Sequence, residues 1–270
     1  MKNQKKVIII GGGTAGLIIA KQLQDFFNVV VIEKSKYLRY PAIFKIPLFI
    51  GLLFRNNRSK YFSKRQIRIS DERQIPFFES NLLGGASVIN GCVHTIGSRS
   101  QWDSILRYFN DSFESILDSN SKIYSINSSN NKIKLKSASQ NIIDDAFLET
   151  LKNKDIPTGD MNFSDKESCG PILNTVTKYF RTSVLSLVNK KLFKVLVGEK
   201  VEKILFNKNG RAIGVETNSS SFDADYIILA GGVIGTNKIL LEIKQNYDGN
   251  QSPLSNINIG HGVKDHTNLR

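Results

Sequence analysis

Cysteine, histidine and tryptophan are all scarce in this chain of 270 residues, which has two, three and one of them respectively. Two cysteines, Cys92 and Cys169, with no secretory leader ahead of them, argue against a disulfide framework and for a reducing, cytoplasmic compartment. No zinc-type spacing exists, and no metal site is expected. Long apolar runs are missing too. The greasiest stretch, Pro41 to Phe54, is interrupted by Lys45 and Pro47 and falls short of the roughly 20 residues that span a bilayer, so a soluble protein is expected. The start, MKNQKK followed by VIII, imitates a signal peptide, but the apolar run stops after four residues at Gly11, Gly12 and Gly13, with no small-residue cleavage site beyond. A buried parallel strand explains the same letters. Acid is also in deficit: 24 Asp and Glu against 37 Lys and Arg give +13, which favours polyanionic partners but says nothing of fold. With 40% apolar and 23% charged residues, the chain has what an ordinary core needs.

The patterning is clearest at the two ends. Val7 to Ile10 is a β-branched run, Leu17 to Leu23 has helical spacing, and Val29 to Ile32 is apolar again: strand, helix, strand over residues 1–34. Ser35 to Arg73 is poorly patterned and reads as an irregular excursion with one short helix. A second glycine-bearing loop follows from Ser80 to Asn90, then a helix around Trp102 to Leu117. Lys132, Lys134 and Lys136 alternate with Ile133 and Leu135, as in a protected edge strand. Within 195–243, Val201 to Phe206 and Ala212 to Glu216 flank an Asn209-Gly210 turn, as in a hairpin. Tyr226 to Ala230 then runs into Gly231 and Gly232, and Ile234 to Ile243 reads as helix.

Gly11, Gly13 and Gly16 form G-x-G-x-x-G directly after the first strand and at the opening of the first helix. The first glycine makes the turn, the second lets backbone approach a pyrophosphate, and the third lets helix pack on strand. Gly11, Gly12, Gly13, Thr14, Ala15 and Gly16 are therefore candidate pyrophosphate residues. Glu33 ends the second strand, where a carboxylate accepts from both ribose hydroxyls and repels a 2′-phosphate. An adenine dinucleotide is expected; the fingerprint alone leaves FAD and NAD open.

Residues 80–103, SNLLGGASVINGCVHTIGSRSQWD, resemble the first signature of the glucose–methanol–choline (GMC) oxidoreductases, FAD enzymes that oxidise alcohols. Leu83, Gly84, Gly85, Ser87, Ile89, Asn90, Gly97 and Asp103 match it, whereas Ser80, Ala86 and His94 depart from it. Residues 226–241 resemble the second signature through Gly232 and Thr236, with Val233 and Asn237 departing. Ile259, Gly260, Asp265 and His266 resemble a late Val-Gly…Asp-His stretch, with Gly262 where an Asn is usual. The resemblance implies an α/β fold throughout 1–270: a Rossmann-like FAD-binding domain with a parallel sheet and a β-meander, and an incomplete substrate domain. It implies FAD as cofactor, with Gly84 and Gly85 closing on the pyrophosphate, Ser87, Asn90 and Gly91 along the flavin, and Val201 near the adenine.

Against the family pattern the chain lacks the C-terminal half that supplies the substrate sheet and a catalytic histidine pair. The resemblance therefore implies a truncated member, inactive alone, with no residue assigned as catalyst; an active half completed by another chain is the alternative, and only then an alcohol substrate. His94, His261 and His266 are assigned packing or surface roles. A second class, nucleic-acid binding, rests on Arg55, Arg58, Lys60, Lys64, Arg65 and Arg68 interleaved with Tyr61 and Phe62, and is the weaker reading because no nucleic-acid motif surrounds them.

Overall fold

The computed structural model describes residues 4–38, 41–55, 60–68, 74–126, 132–137, 140–159, 168–188, 193–246, 254 and 256–261. The chain divides into two compact units, each discontinuous: Met1–Tyr40, Arg58–Ala86 and Val188–Arg270 form the first, Pro41–Asn57 and Ser87–Leu187 the second. The expected nucleotide segment 1–34 and the segment 195–243 thus lie in one unit, while the loop 80–103 is divided between the two.

In the first unit, strand β1 (Lys6–Ile10) leads through a glycine turn to helix α1 (Thr14–Leu23) and strand β2 (Asn28–Glu33). A hairpin follows, β3 (Phe62–Arg68) and β4 (Gln74–Ser80). After the second unit's residues come β5 (Lys194–Val197), β6 (Val201–Phe206), β7 (Ala212–Thr217), β8 (Ser221–Asp223), β9 (Tyr226–Leu229) and α2 (Gly232–Asn246). The main sheet is parallel, in the order β5-β2-β1-β9, and β6-β7-β8 form an antiparallel meander. Val7 to Ile10 are buried on both sides, as a central parallel strand demands. Ile8, Ile10, Val30, Ile32, Val201 and Val215 make one core with Ile239 of α2. This is the expected α/β fold, parallel sheet and meander included. The turn after β6 is closed by Asn207, whose Oδ1 accepts from the N–H groups of Asn209 and Arg211, both at 3.0 Å.

Of the irregular excursion expected over 35–73, the one short helix is present at Ile50–Arg55, but residues 62–68 form strand β3, which pairs with β4 in the hairpin. Phe62 is buried against Phe78, ring centroids 5.6 Å apart, and Arg65 pairs with Glu79 across the ladder at 2.9 Å. Only two of the seven β3 residues are apolar, so cross-strand pairing rather than an apolar stripe specifies this strand.

The second unit carries helices Arg99–Leu106, Phe113–Ile123 and Ile142–Lys152 and a small antiparallel sheet of Val93–His94, Leu173–Asn174 and Lys136–Ser137. The single helix expected around 102–117 is two, because Ser112 caps a new start by accepting from the Ser115 N–H. Ile133 and Leu135 are buried beneath the three lysines, and Lys136 sits in an edge strand as expected, but Lys134 pairs with Ser125 in a separate two-stranded piece.

Candidate cofactor-binding site

The turn from β1 into α1 is tied to the neighbouring strand: the Gly11 N–H donates to the Ile32 carbonyl at 2.8 Å. Gly13 precedes the helix in extended conformation, no side chain caps it, and no acid occupies the first turn. The first backbone N–H groups of a helix have no intrahelical acceptor and carry its positive end, so α1 presents the amides of Thr14, Ala15 and Gly16 to an anion. Helix and turn touch backbone to backbone. A Cβ on Gly16 would lie 2.0 Å from the Gly11 carbonyl oxygen, which accounts physically for the third glycine of the fingerprint.

The second glycine loop lies against the first. Gly84 donates to the Gly12 carbonyl at 2.7 Å, and Gly85, at φ +57°, would place a Cβ 2.8 Å from the Gly13 Cα. Glu33 closes the other side: buried at 8% exposure, its carboxylate accepts from the Gly12 N–H at 2.7 Å and the Ser35 N–H at 2.8 Å. A carboxylate offers about four acceptor positions, so two remain for ligand hydroxyls. β5 pairs Val197 with Glu33, and beyond it the Gly198 N–H donates to the Ser35 carbonyl at 2.8 Å. The chain then enters β6 at Val201, whose side chain is in the core, leaving backbone for any contact with a ligand. One unit thus gathers Gly11 to Gly16, Glu33, Gly84, Gly85 and Val201. The donor set fits an adenine dinucleotide: uncapped amides, a carboxylate with acceptor positions left, and open space at Gly13, where a Cβ would meet nothing closer than 4.0 Å.

Ser87, Asn90 and Gly91 belong to the second unit, where residues 87–94 are fastened to 173–184 along their length. Ser87 Oγ accepts from the Val184 N–H at 3.3 Å. Arg181 Nη1 donates to both Asn90 oxygens, the carbonyl at 2.7 Å and Oδ1 at 2.5 Å. The Thr175 N–H donates to the Cys92 carbonyl at 2.7 Å, and Val93 and His94 pair with Asn174 and Leu173. Asn90 and Gly91 are exposed, while Cys92, Thr175 and Arg181 are buried beneath them. Cys92 takes a left-handed φ of +64°. Burial raises its thiol above the ordinary 9.0, against the opposing influence of the Arg181 charge and the Thr175 hydroxyl. Arg181 was not singled out by the sequence; nothing in a lone arginine ninety residues from the loop marks it.

His94 is buried with its ring 4.3 Å from that of Tyr124, and its Nε2 has no partner among the described residues. Burial holds its imidazole below 6.5, opposed in part by a hydrogen bond with Asn120, and burial raises the Tyr124 phenol. His261 is exposed; Asp265, His266 and Gly262 lie outside the described residues, as does Arg58. In the basic run, Tyr61 and Phe62 are buried, so neither offers a stacking face, and Arg65 is paired with Glu79. Among the described residues no cluster of three or more metal-ligating side chains forms, and no helix is long and apolar enough to cross a membrane.

The GMC oxidoreductase family model matches residues 5–268. The chain belongs to that family. Among curated relatives it is 27% identical to (R)-mandelonitrile lyase 4 of Prunus serotina, over 93% of this chain and 44% of that protein. It is 26% identical to the oxygen-dependent choline dehydrogenase of Vibrio vulnificus, over 89% and 47%. Among solved structures it resembles a formate oxidase variant from Aspergillus oryzae studied for its FAD modification, with a TM-score of 0.71 and 20% identity over 89% of this chain and 48% of that one. A pyridoxine 4-oxidase superimposes with a TM-score of 0.69 and 16% identity, over 85% and 50%. This GMC chain spans about half the length of the relatives it matches.

Proposed function

We propose that this chain is the FAD-binding half of a GMC-type oxidoreductase. The observation that carries the reading is the join of the two glycine loops, Gly84 on Gly12 and Gly85 against Gly13, over an uncapped helix start and beside the Glu33 carboxylate. In this reading the amides of Gly13 to Gly16 and the Gly84-Gly85 backbone hold the pyrophosphate, Glu33 holds the adenosine ribose, backbone near Val201 borders the adenine, and Ser87, Asn90 and Gly91 lie along the flavin. When bound, FAD supplies a hydride acceptor. The chain's own residues bind and orient it.

Substrate chemistry is a different matter. A lyase and a dehydrogenase match this chain at 27% and 26% identity, so the shared half does not specify the reaction. Alcohol oxidation needs a base that substrate can reach, and His94 is sealed at 8% exposure. On this reading the chain alone binds flavin without alcohol turnover, and a hydride is drawn from an alcohol when a second half supplies the base.

The test is the visible spectrum of purified protein, with any yellow chromophore released by denaturation and identified, and FAD titrated into colourless protein. Bound or titratable FAD is the expected result; folded protein that never takes up flavin overturns the reading. Flavin reduction by an alcohol without any second chain would sink the inactive part alone.

A further inference from the structure

Arg181 is the most thoroughly buried cation in the described second unit, at 7% exposure, and it has no carboxylate partner there. Among the described residues its Nε and Nη2 make no hydrogen bond, so its bonding is concentrated in Nη1, which donates to both oxygens of Asn90. A guanidinium has donors only and does not lose its proton at ordinary pH. Burying such a charge is costly unless acceptors face it, and Asn90 is the principal acceptor in reach.

The consequence falls on Asn90. Its Oδ1 accepts from Arg181 Nη1 at 2.5 Å and from the Cys92 N–H at 3.2 Å, two groups that can only donate. Turning the amide over would set its NH2 against both. The oxygen is therefore locked inward, and Nδ2, which has no partner among the described residues, faces out from an exposed residue above a buried base. A flavin rim is rich in acceptors, its carbonyl oxygens and ring nitrogens, and an outward NH2 is the complementary group.

Resting on the reading of Asn90 as a flavin-side residue, we infer that Arg181 is a positioning residue for the cofactor: through its contact with both Asn90 oxygens it fixes Asn90 as a hydrogen-bond donor toward FAD. The signal is specific to this geometry, because the same arginine bound to the Asn90 carbonyl alone would leave only the longer Cys92 N–H bond, at 3.2 Å, to hold the side-chain amide.

The experiment uses the full chain, with FAD affinity read from quenching of flavin fluorescence and the bound flavin's environment read from visible circular dichroism. Asn90→Ala and Arg181→Met are each expected to weaken FAD about tenfold, and the double variant no more than either alone, the signature of residues acting through one contact. Independent, multiplying losses would mean that Arg181 serves only the fold, and would overturn the inference. Asn90→Asp covers the case in which Arg181→Met does not fold: it keeps two oxygens for Arg181, gains an ion pair and loses both donors. It is expected to melt no lower than the wild type, yet to bind FAD about tenfold more weakly with an altered flavin dichroism. Wild-type affinity and dichroism in Asn90→Asp overturn the inference while the functional reading stands. A wild type that takes up no FAD overturns both.

Discussion

The Gly84 N–H donates to the Gly12 carbonyl across 2.7 Å, and the next residue along carries that contact to Gly13, where a Cβ on Gly85 would stand 2.8 Å from the Cα. Two segments seventy residues apart thus meet backbone to backbone at these glycines. The glycines on this seam are not equivalent, and their alanine variants separate folding from binding. Gly16→Ala forces a methyl to 2.0 Å from a carbonyl oxygen and Gly85→Ala combines a left-handed φ with a backbone clash. Each is expected to destabilise the protein by about 1–3 kcal/mol or more. Gly13→Ala meets nothing inside 4.0 Å, and is expected to cost about 1 kcal/mol or less as a helix cap while weakening FAD about tenfold. Thermal unfolding and FAD titration of the three variants decide it. A Gly13→Ala protein with full affinity would place the pyrophosphate elsewhere.

Glu33 has a structural duty as well as the proposed ligand one. Glu33→Ala strands the Gly12 and Ser35 N–H groups in a buried place, at about 1–3 kcal/mol for each unsatisfied group. Glu33→Gln keeps one good acceptor and turns an NH2 toward the other donor, so it is expected to lose less stability than alanine. Both should lower the affinity for FAD and for ADP alike, because the ribose they would hold is common to the two. A Glu33→Gln variant that loses flavin but not ADP would exclude the ribose role.

The N-terminal βαβ unit was legible because three independent signals agreed there, a β-branched run, spaced glycines and a terminal acid, and strand β1, the turn at Gly11 and the end of β2 at Glu33 fall where those signals put them. The meander was legible for the same reason, with Asn209-Gly210 at its tip. The β3–β4 hairpin was not, since its stability comes from pairs such as Phe62 with Phe78 and Arg65 with Glu79 that no local pattern records. Helix Ile142–Lys152 is marked in the sequence only by its start, where Asn141 and Asp144 form a reciprocal capping box at its N-terminus. Arg181 left none, because its meaning lies wholly in the residue it meets, Asn90.

Cys92 should behave as a packed apolar side chain rather than a nucleophile. Burial raises its thiol, and the thiolate is the reactive form. Native protein treated with an aromatic disulfide reagent at pH 8 is expected to label Cys169 first and Cys92 only on unfolding, since Cys169 is the less buried of the two. Fast labelling of Cys92 in the folded state would contradict the buried position assigned to it. Cys92→Ala is a poor control here, because its left-handed φ of +64° is strained for alanine also; Cys92→Gly relieves the backbone while removing the thiol.

His94 gives the fold a pH dependence whose sign follows from its burial. The folded protein holds the imidazole below the 6.5 at which the unfolded chain takes up its proton, so between the two values the unfolded state binds more protons. Stability from this group is fully present above about pH 6.5 and is lost progressively as the pH falls from there through the folded value. The ring lies against Tyr124 with Nε2 unpartnered, so protonation would put a second N–H, and a charge, where no acceptor waits. His94→Phe keeps an aromatic face for Tyr124 and removes the titration. Unfolding midpoints measured from pH 8 to pH 5 are expected to fall more steeply in the wild type than in His94→Phe, the difference opening below about pH 6.5. Parallel curves for the two proteins would show that His94 reaches solvent and titrates alike in both states.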